Sequence, residues 1–358
     1  MREDRLSALR ALLAENGLDA VIVSKYVNLH YFSGFRGDDT MLVITPQEAL
    51  LVTDNRYTEQ AGQQAPLFTV VEQKKGLLRE VVACLAKLGV KKVGFEGNAL
   101  IYNDYRRLQE LVSGIDVSTP LNLDGLRQVK DEEEIRLIRR ACEIADGAYE
   151  DIIRFIRPGM TEIEVAAHME NYMRQNGSEE PSFTTIVASG LRGSLPHGTA
   201  SEKVIARGDF VTMDYGAVYQ GYHSDITRTL CMGSATEKQR RVYSDVLQGQ
   251  LLALEEIRPG ASGVDVDKKV REFFATRGID KYFGHGLGHS LGLEIHEEPR
   301  LSPHSKCEHL LPNMLITDEP GVYIPGWGGL RIEDTVLVTQ DGCEPLTRST
   351  KELIEIKR

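Results

Sequence analysis

The chain of 358 residues is too long for one ordinary domain and too short for three. Its 41% hydrophobic and 27% charged residues exclude a disordered or fibrous chain. Lys+Arg 42 against Asp+Glu 53 leaves a net charge of −11, and with no long basic run this argues against nucleic acid or an anionic membrane as partner.

In chain order, Leu6, Leu9, Leu12 and Leu13 recur at helical spacing until Gly17. Residues 20–23 read as a buried strand, and 41–44 with 49–52 as a hairpin around Pro46. The aromatic segment Tyr31-Phe32-Ser33-Gly34-Phe35 reads as a loop that either caps a neighbouring site or packs inside its own domain. A helix over 76–88 precedes a strand over 92–95, an α/β arrangement without a phosphate-cradling glycine motif. The pattern breaks around 118–122, and a charged helix then runs from near Lys130 to about Ile156. A domain boundary is expected within 122–128, giving an α/β domain over 1–124 and a second domain over 125–358.

No apolar stretch approaches the ~20 residues that span a bilayer. The opening segment Met1-Arg2-Glu3-Asp4-Arg5 carries acids, runs straight into an amphipathic pattern and does not read as a secretory signal. The five cysteines, Cys84, Cys142, Cys231, Cys307 and Cys343, form no C-x-x-C pair and fit reduced thiols in a cytoplasm.

The second domain contains an echo of itself. Ile156-Arg157-Pro158-Gly159-Met160-Thr161-Glu162 returns as Ile257-Arg258-Pro259-Gly260-Ala261-Ser262-Gly263, and each copy runs through a helical stretch to a glycine, Gly177 or Gly278. Thr161 with Glu164 forms a capping box, and Ser262 with Asp265 a weaker one. Phe210–Gly216 is then echoed by Leu315–Gly321, and Asp225-Ile226-Thr227 by Glu333-Asp334-Thr335. Two α+β halves packed face to face would bring Asp214, Asp225, Glu319 and Glu333 together. Four buried acids cannot all stay ionised alone, so either some hold protons or cations sit between them.

The stretch from Gly284 to Glu297 adds His285, His289 and His296 on glycine-rich backbone that excludes the helical zinc motif. One imidazole with four carboxylates is a hard donor set, suited to Mn²⁺ or Co²⁺ better than to structural zinc. Two such ions could share a hydroxide and polarise a carbonyl.

These residues resemble the pita-bread metallopeptidases, and the whole chain resembles their Xaa-Pro dipeptidase (prolidase) and aminopeptidase P branch. Six motifs carry the likeness in order: Ser194-Leu195-Pro196-His197-Gly198, Met213–Ala217, Ser224–Thr229, the histidine stretch, Asp318–Tyr323 and Arg331-Ile332-Glu333-Asp334. The resemblance implies a creatinase/prolidase-like α/β domain followed by a pita-bread domain with internal pseudo-twofold symmetry. It implies Asp214, Asp225, His289, Glu319 and Glu333 as ligands of two divalent ions, most often manganese, with cobalt or zinc as alternatives. His197, His296 and Glu319 take catalytic roles, Glu319 as proton shuttle. His285 would line the proline pocket, or simply pack, and Arg331 would pair with a ligand carboxylate. Ser290 after His289, and Arg192-Gly193 before the Ser-Leu-Pro-His motif, depart from the family's commonest pattern.

The same resemblance implies a homodimer acting on proline-containing di- or oligopeptides, and the cysteines place it in the cytoplasm. Arg300, placed to read a proline carboxylate, favours the dipeptidase over an aminopeptidase P that trims longer peptides; as a surface arginine it would favour neither. A methionine aminopeptidase shares the five ligand types but normally lacks the first domain. A catalytically silent peptide-binding module would be expected to have lost ligands.

Overall fold

The structure is a computed structural model describing residues 2–357. It divides into two compact units, Met1–Arg127 and Gln128–Arg358.

The first unit is built on a six-stranded sheet in the order Thr69–Glu72, Ala49–Thr53, Met41–Ile44, Ala20–Val23, Lys92–Glu96, Asp116–Leu121. The two middle strands, Ala20–Val23 and Met41–Ile44, are buried at every position, which requires cover on both faces and explains their unbroken aliphatic runs. Helix Arg2–Glu15 stands where leucine spacing places it, and Leu77–Leu88 fills the helix expected over 76–88. Two expectations change. The segment around 118–122 is the sheet's edge strand, with Pro120 opposite Phe95; an edge tolerates a residue without an N–H. The aromatic segment is the last turn of the helix Tyr26–Ser33, ended by Gly34 at φ 80°. Tyr31, Phe32 and Phe35 are buried in their own unit, which leaves no exposed aromatic cap.

The second unit has two halves, each with its own core. In the first, helices Glu132–Phe155 and Glu162–Gln175 cover a sheet in the order Glu355–Ile356, Ile226–Met232, Phe210–Tyr215, Ile186–Ser189. In the second, helices Glu237–Glu256 and Gly263–Arg277 cover Leu315–Asp318, Asp334–Val338 and Cys343–Pro345. Thr161 forms its capping box with Glu164, while Ser262 accepts only the Asp265 amide. The central strand pair of each half is antiparallel, and their facing ends carry the acids.

Candidate active site

The duplicated strand pairs place the four acids alike. Asp214 lies near the end of Phe210–Tyr215, and Asp225 stands just before Ile226–Met232. Glu319 directly follows Leu315–Asp318, and Glu333 directly precedes Asp334–Val338. Close approach at two glycines permits this. A Cβ on Gly216 would stand 1.9 Å from the Ser224 carbonyl oxygen, and one on Gly288 would stand 1.9 Å from that of Thr317.

Bonds between the halves hold the strand ends in register. Thr227 Oγ1 donates to Glu333 Oε2 at 2.6 Å, and Glu333 N donates to Thr227 O at 3.1 Å. Thr335 Oγ1 donates to Asp225 O at 2.8 Å. Arg228 Nη2 meets Asp334 Oδ1 at 2.7 Å, both side chains 1% exposed.

At the centre, ligand atoms of Asp225, His289 and Glu333 all lie within 4.8 Å of one another. His289 Nε2 is 3.6 Å from Asp225 Oδ2 and 3.5 Å from Glu319 Oε1. Its Nδ1 is 3.0 Å from the Ser290 carbonyl, which can only accept, so the proton belongs on Nδ1 and the Nε2 lone pair faces the acids. Thr317 Oγ1 accepts from His289 N and donates to Glu319 Oε1, both at 3.0 Å. Asp214 Oδ2 is held by Arg331 Nη2. Arg331 also donates to Thr227 Oγ1 at 3.0 Å and to Tyr323 Oη at 2.5 Å.

Burial and the neighbouring acids, Glu333 first among them, push Asp225 well above the carboxylate range. Burial followed by Glu319 and Asp214 does the same to Glu333. Burial carries Glu319 up to about 7. Burial, reinforced by His296, lowers His289 to about 3, so its imidazole is neutral. Buried Asp214 Oδ1 and Asp225 Oδ1 have no hydrogen-bond partner among the described residues. Unsatisfied carboxylate oxygens, protons held against their normal acidity and one neutral imidazole fit a site for divalent cations that prefer oxygen. Asp225, His289, Glu333, Glu319 and Asp214 are the residues that could hold them.

All ten residues singled out in the sequence line one cavity of about 430 Å³: His197, Asp214, Asp225, His285, His289, His296, Arg300, Glu319, Arg331 and Glu333. The His296 ring meets that of His289 edge to face at 4.4 Å. His285 Nε2 is 2.9 Å from Tyr323 Oη, and burial followed by Arg331 lowers its pKa to about 4. Arg300 has a 49% exposed side chain, with Nε 3.4 Å from Glu298 Oε1.

Four residues here carried no role in the sequence reading. Tyr323 joins His285 to Arg331, Thr227 and Thr317 orient the acids, and Lys130 is a fully buried ammonium. Lys130 Nζ stands 3.2 Å from Glu297 Oε2 and 3.1 Å from Ser290 Oγ, next to His289. The paired threonines of the 225–227 and 333–335 echo were a signal for Thr227. Nothing in its local pattern distinguishes Lys130 from an ordinary helix-leading lysine.

Comparison with known proteins agrees with this geometry. Residues 5–129 match the creatinase/prolidase N-terminal domain, and residues 136–340 match metallopeptidase family M24. An Xaa-Pro dipeptidase of Pyrococcus furiosus is 41% identical over 98% of this chain and 100% of its own length. The solved Xaa-Pro dipeptidase from Bacillus anthracis superposes with a TM-score of 0.96 at 42% identity, covering 99% of this chain and 100% of that one. An X-Pro aminopeptidase from Thermotoga maritima gives 0.90 at 38% identity, covering 95% and 98%. With both of its units matched and the acids converging in one cavity, the chain belongs to metallopeptidase family M24 and carries a creatinase/prolidase N-terminal domain.

Proposed function

We propose that the chain is an Xaa-Pro dipeptidase in which Asp214, Asp225, His289, Glu319 and Glu333 hold two divalent cations, manganese suiting the donors best. The observation that carries this reading is the close grouping of Asp225, His289 and Glu333 at the base of the cavity, with both acids pushed toward the protonated state. When bound, the cations supply the Lewis acidity that ionises an attacking water and polarises the peptide carbonyl.

The chain's own groups do the rest. His197 and His296 face the cavity as hydrogen-bond donors for the substrate and for the oxygen that gains charge. Burial followed by Arg300 lowers the pKa of His296, so it donates as a neutral ring. Glu319, beside the cavity, is the group placed to relay a proton from the attacking water to the leaving proline nitrogen. Arg331 keeps Asp214 oriented, and His285 backs the proline ring. A proline peptide lacks the N–H that general peptidase sites grip, so a shaped wall replaces that bond. Arg300 would read the terminal carboxylate with its guanidinium. In this reading the enzyme is a homodimer in a reducing cytoplasm: the five free thiols support the compartment, and family resemblance supports the dimer.

The second reading is an aminopeptidase P, supported by the likeness to the Thermotoga maritima structure. Mn²⁺-loaded protein is to be given Xaa-Pro and Xaa-Pro-Yaa-Zaa side by side. Preference for the dipeptide, lost in Arg300→Ala through a raised KM, is expected. Preference for the longer peptide selects the second reading. Metal uptake without turnover of either would leave a silent binding module. Asp225→Asn should abolish both metal loading and turnover, and an active, fully metallated variant contradicts the ligand set.

A further inference from the structure

The cavity wall that carries Pro196 and His197 lies outside the sheets. It is the loop between Ser189 and Ser201, opening with the short turn Gly190–Ser194. Apolar packing does little to hold it, since Leu191 is 65% and Leu195 50% exposed. Besides backbone contacts at Ser189, Thr199 and Gly193, one buried carboxylate ties its parts together. Glu162, fully buried at the first position of helix Glu162–Gln175, accepts through Oε1 from both N and Oγ of Ser189 at 2.8 Å. Its Oε2 accepts from Ser201 N at 3.2 Å and Ser201 Oγ at 2.6 Å, and pairs with Arg192 Nη1. Arg192 Nη2 then reaches across the loop to the Thr199 carbonyl at 2.9 Å. Both ends of the loop and Arg192 on its first arm therefore close on one acid, and the arginine spans to Thr199 on the returning arm. The loop tip meets the site through the Pro196 carbonyl, which accepts from Arg331 Nη1 at 3.3 Å. Neither Glu162 nor Arg192 lines the cavity.

We propose that Glu162 and Arg192 are positioning residues, a buried clamp that fixes where His197 stands and so how the substrate is held. The proposal rests on the reading of His197 as a substrate-side histidine. The chemistry requires both partners. A carboxylate at a helix N-terminus is favoured where it stands, and its two oxygens accept from both ends of the loop. The guanidinium bonds that acid and a carbonyl on the opposite arm at once through two different nitrogens held in one plane. The arginine that departs from the family's commonest pattern before the Ser-Leu-Pro-His motif is this spanning residue.

The test is a double-mutant cycle with a structural readout beside it. Arg192→Ala is expected to lower kcat/KM for an Xaa-Pro substrate about 10–100-fold, the scale of a misplaced catalytic group. Arg192→Lys, able to reach one partner only, should recover part of the loss. In a His197→Ala background, Arg192→Ala should change kcat/KM less than about twofold, because the group it places is gone. Amide hydrogen exchange in Arg192→Ala and Glu162→Gln should accelerate within 189–201 and nowhere else. Equal losses with and without His197, or unchanged exchange in that loop, would overturn the clamp. Absence of Xaa-Pro turnover in the unsubstituted, Mn²⁺-loaded protein would instead sink the proposed function, and the exchange measurement would still decide the clamp.

Discussion

Thr227 and Glu333 exchange two hydrogen bonds across the junction of the halves, hydroxyl to carboxylate at 2.6 Å and amide to carbonyl at 3.1 Å. The same hydroxyl accepts from Arg331 Nε at 3.0 Å, so one oxygen orients both an acid of the cluster and the guanidinium that holds Asp214. Thr227→Val keeps the shape and removes the hydroxyl. It should weaken binding of at least one divalent ion by about 10–100-fold, the usual effect of losing a group that orients a ligand. Titration calorimetry with Mn²⁺ checks this, and unchanged affinity would refute it.

The raised acids set a pH dependence. For Glu319 the folded, metal-free value of about 7 lies above the ordinary 4.5. The stabilisation from its tighter proton is complete below about 4.5 and is lost as pH rises through about 7. Asp225 and Glu333 are shifted the same way. Metal-free protein should therefore lose thermal stability between pH 5 and about 8 relative to loaded protein, and the gain in Tm on adding Mn²⁺ should grow over that interval. Loading should also release protons, seen as a dependence of binding heat on the buffer's ionisation enthalpy. A metal-induced gain in Tm that shrinks with rising pH would contradict the sign.

Lys130 and Glu297 form a buried ion pair at 3.2 Å, with side chains 1% and 4% exposed. Removing the ammonium alone takes the cation from a buried carboxylate, a change of about 3–5 kcal/mol. Lys130→Met should destabilise the catalytic unit by that amount, and Lys130→Met with Glu297→Gln by much less. Urea unfolding followed by the fluorescence of Trp327, the single tryptophan, gives both values.

Gly288 backs against the Thr317 carbonyl so closely that a Cβ would lie 1.9 Å from its oxygen. Because Thr317 Oγ1 accepts from His289 N, Gly288→Ala must move the strand that carries the imidazole. A loss of at least about 1–3 kcal/mol is expected from overpacking. Metal content after dialysis should fall with it, and a fully metallated, stable variant would show the contact to be soft.

The parts that sequence made legible are those where local pattern and chemistry coincide. Aliphatic runs marked the inner strands of the first unit, and the echo of 156–162 in 257–263 marked the two halves. Acids at equivalent places in those halves, beside three closely spaced histidines, marked the cavity. Other parts depend on tertiary position. Pro120 sits in a strand because that strand is an edge, a fact absent from the local sequence. The helix Tyr26–Ser33 is one short element whose aromatics read equally well as a loop. Lys130 and Glu162 look like ordinary charged residues at helix starts, and only the fold turns them inward.

Arg228 meets Asp334 across the two halves in a buried interior beside the reacting groups, and Lys351 holds the other oxygen of Asp334 at 2.7 Å. A shift of the two strands past one another by even one pleat would take the buried Arg228 guanidinium from its carboxylate, while Asp334 kept Lys351. That penalty makes the pair a key against misalignment: the halves can mate in a single register, and the spacing of the reactive groups is inherited from that choice.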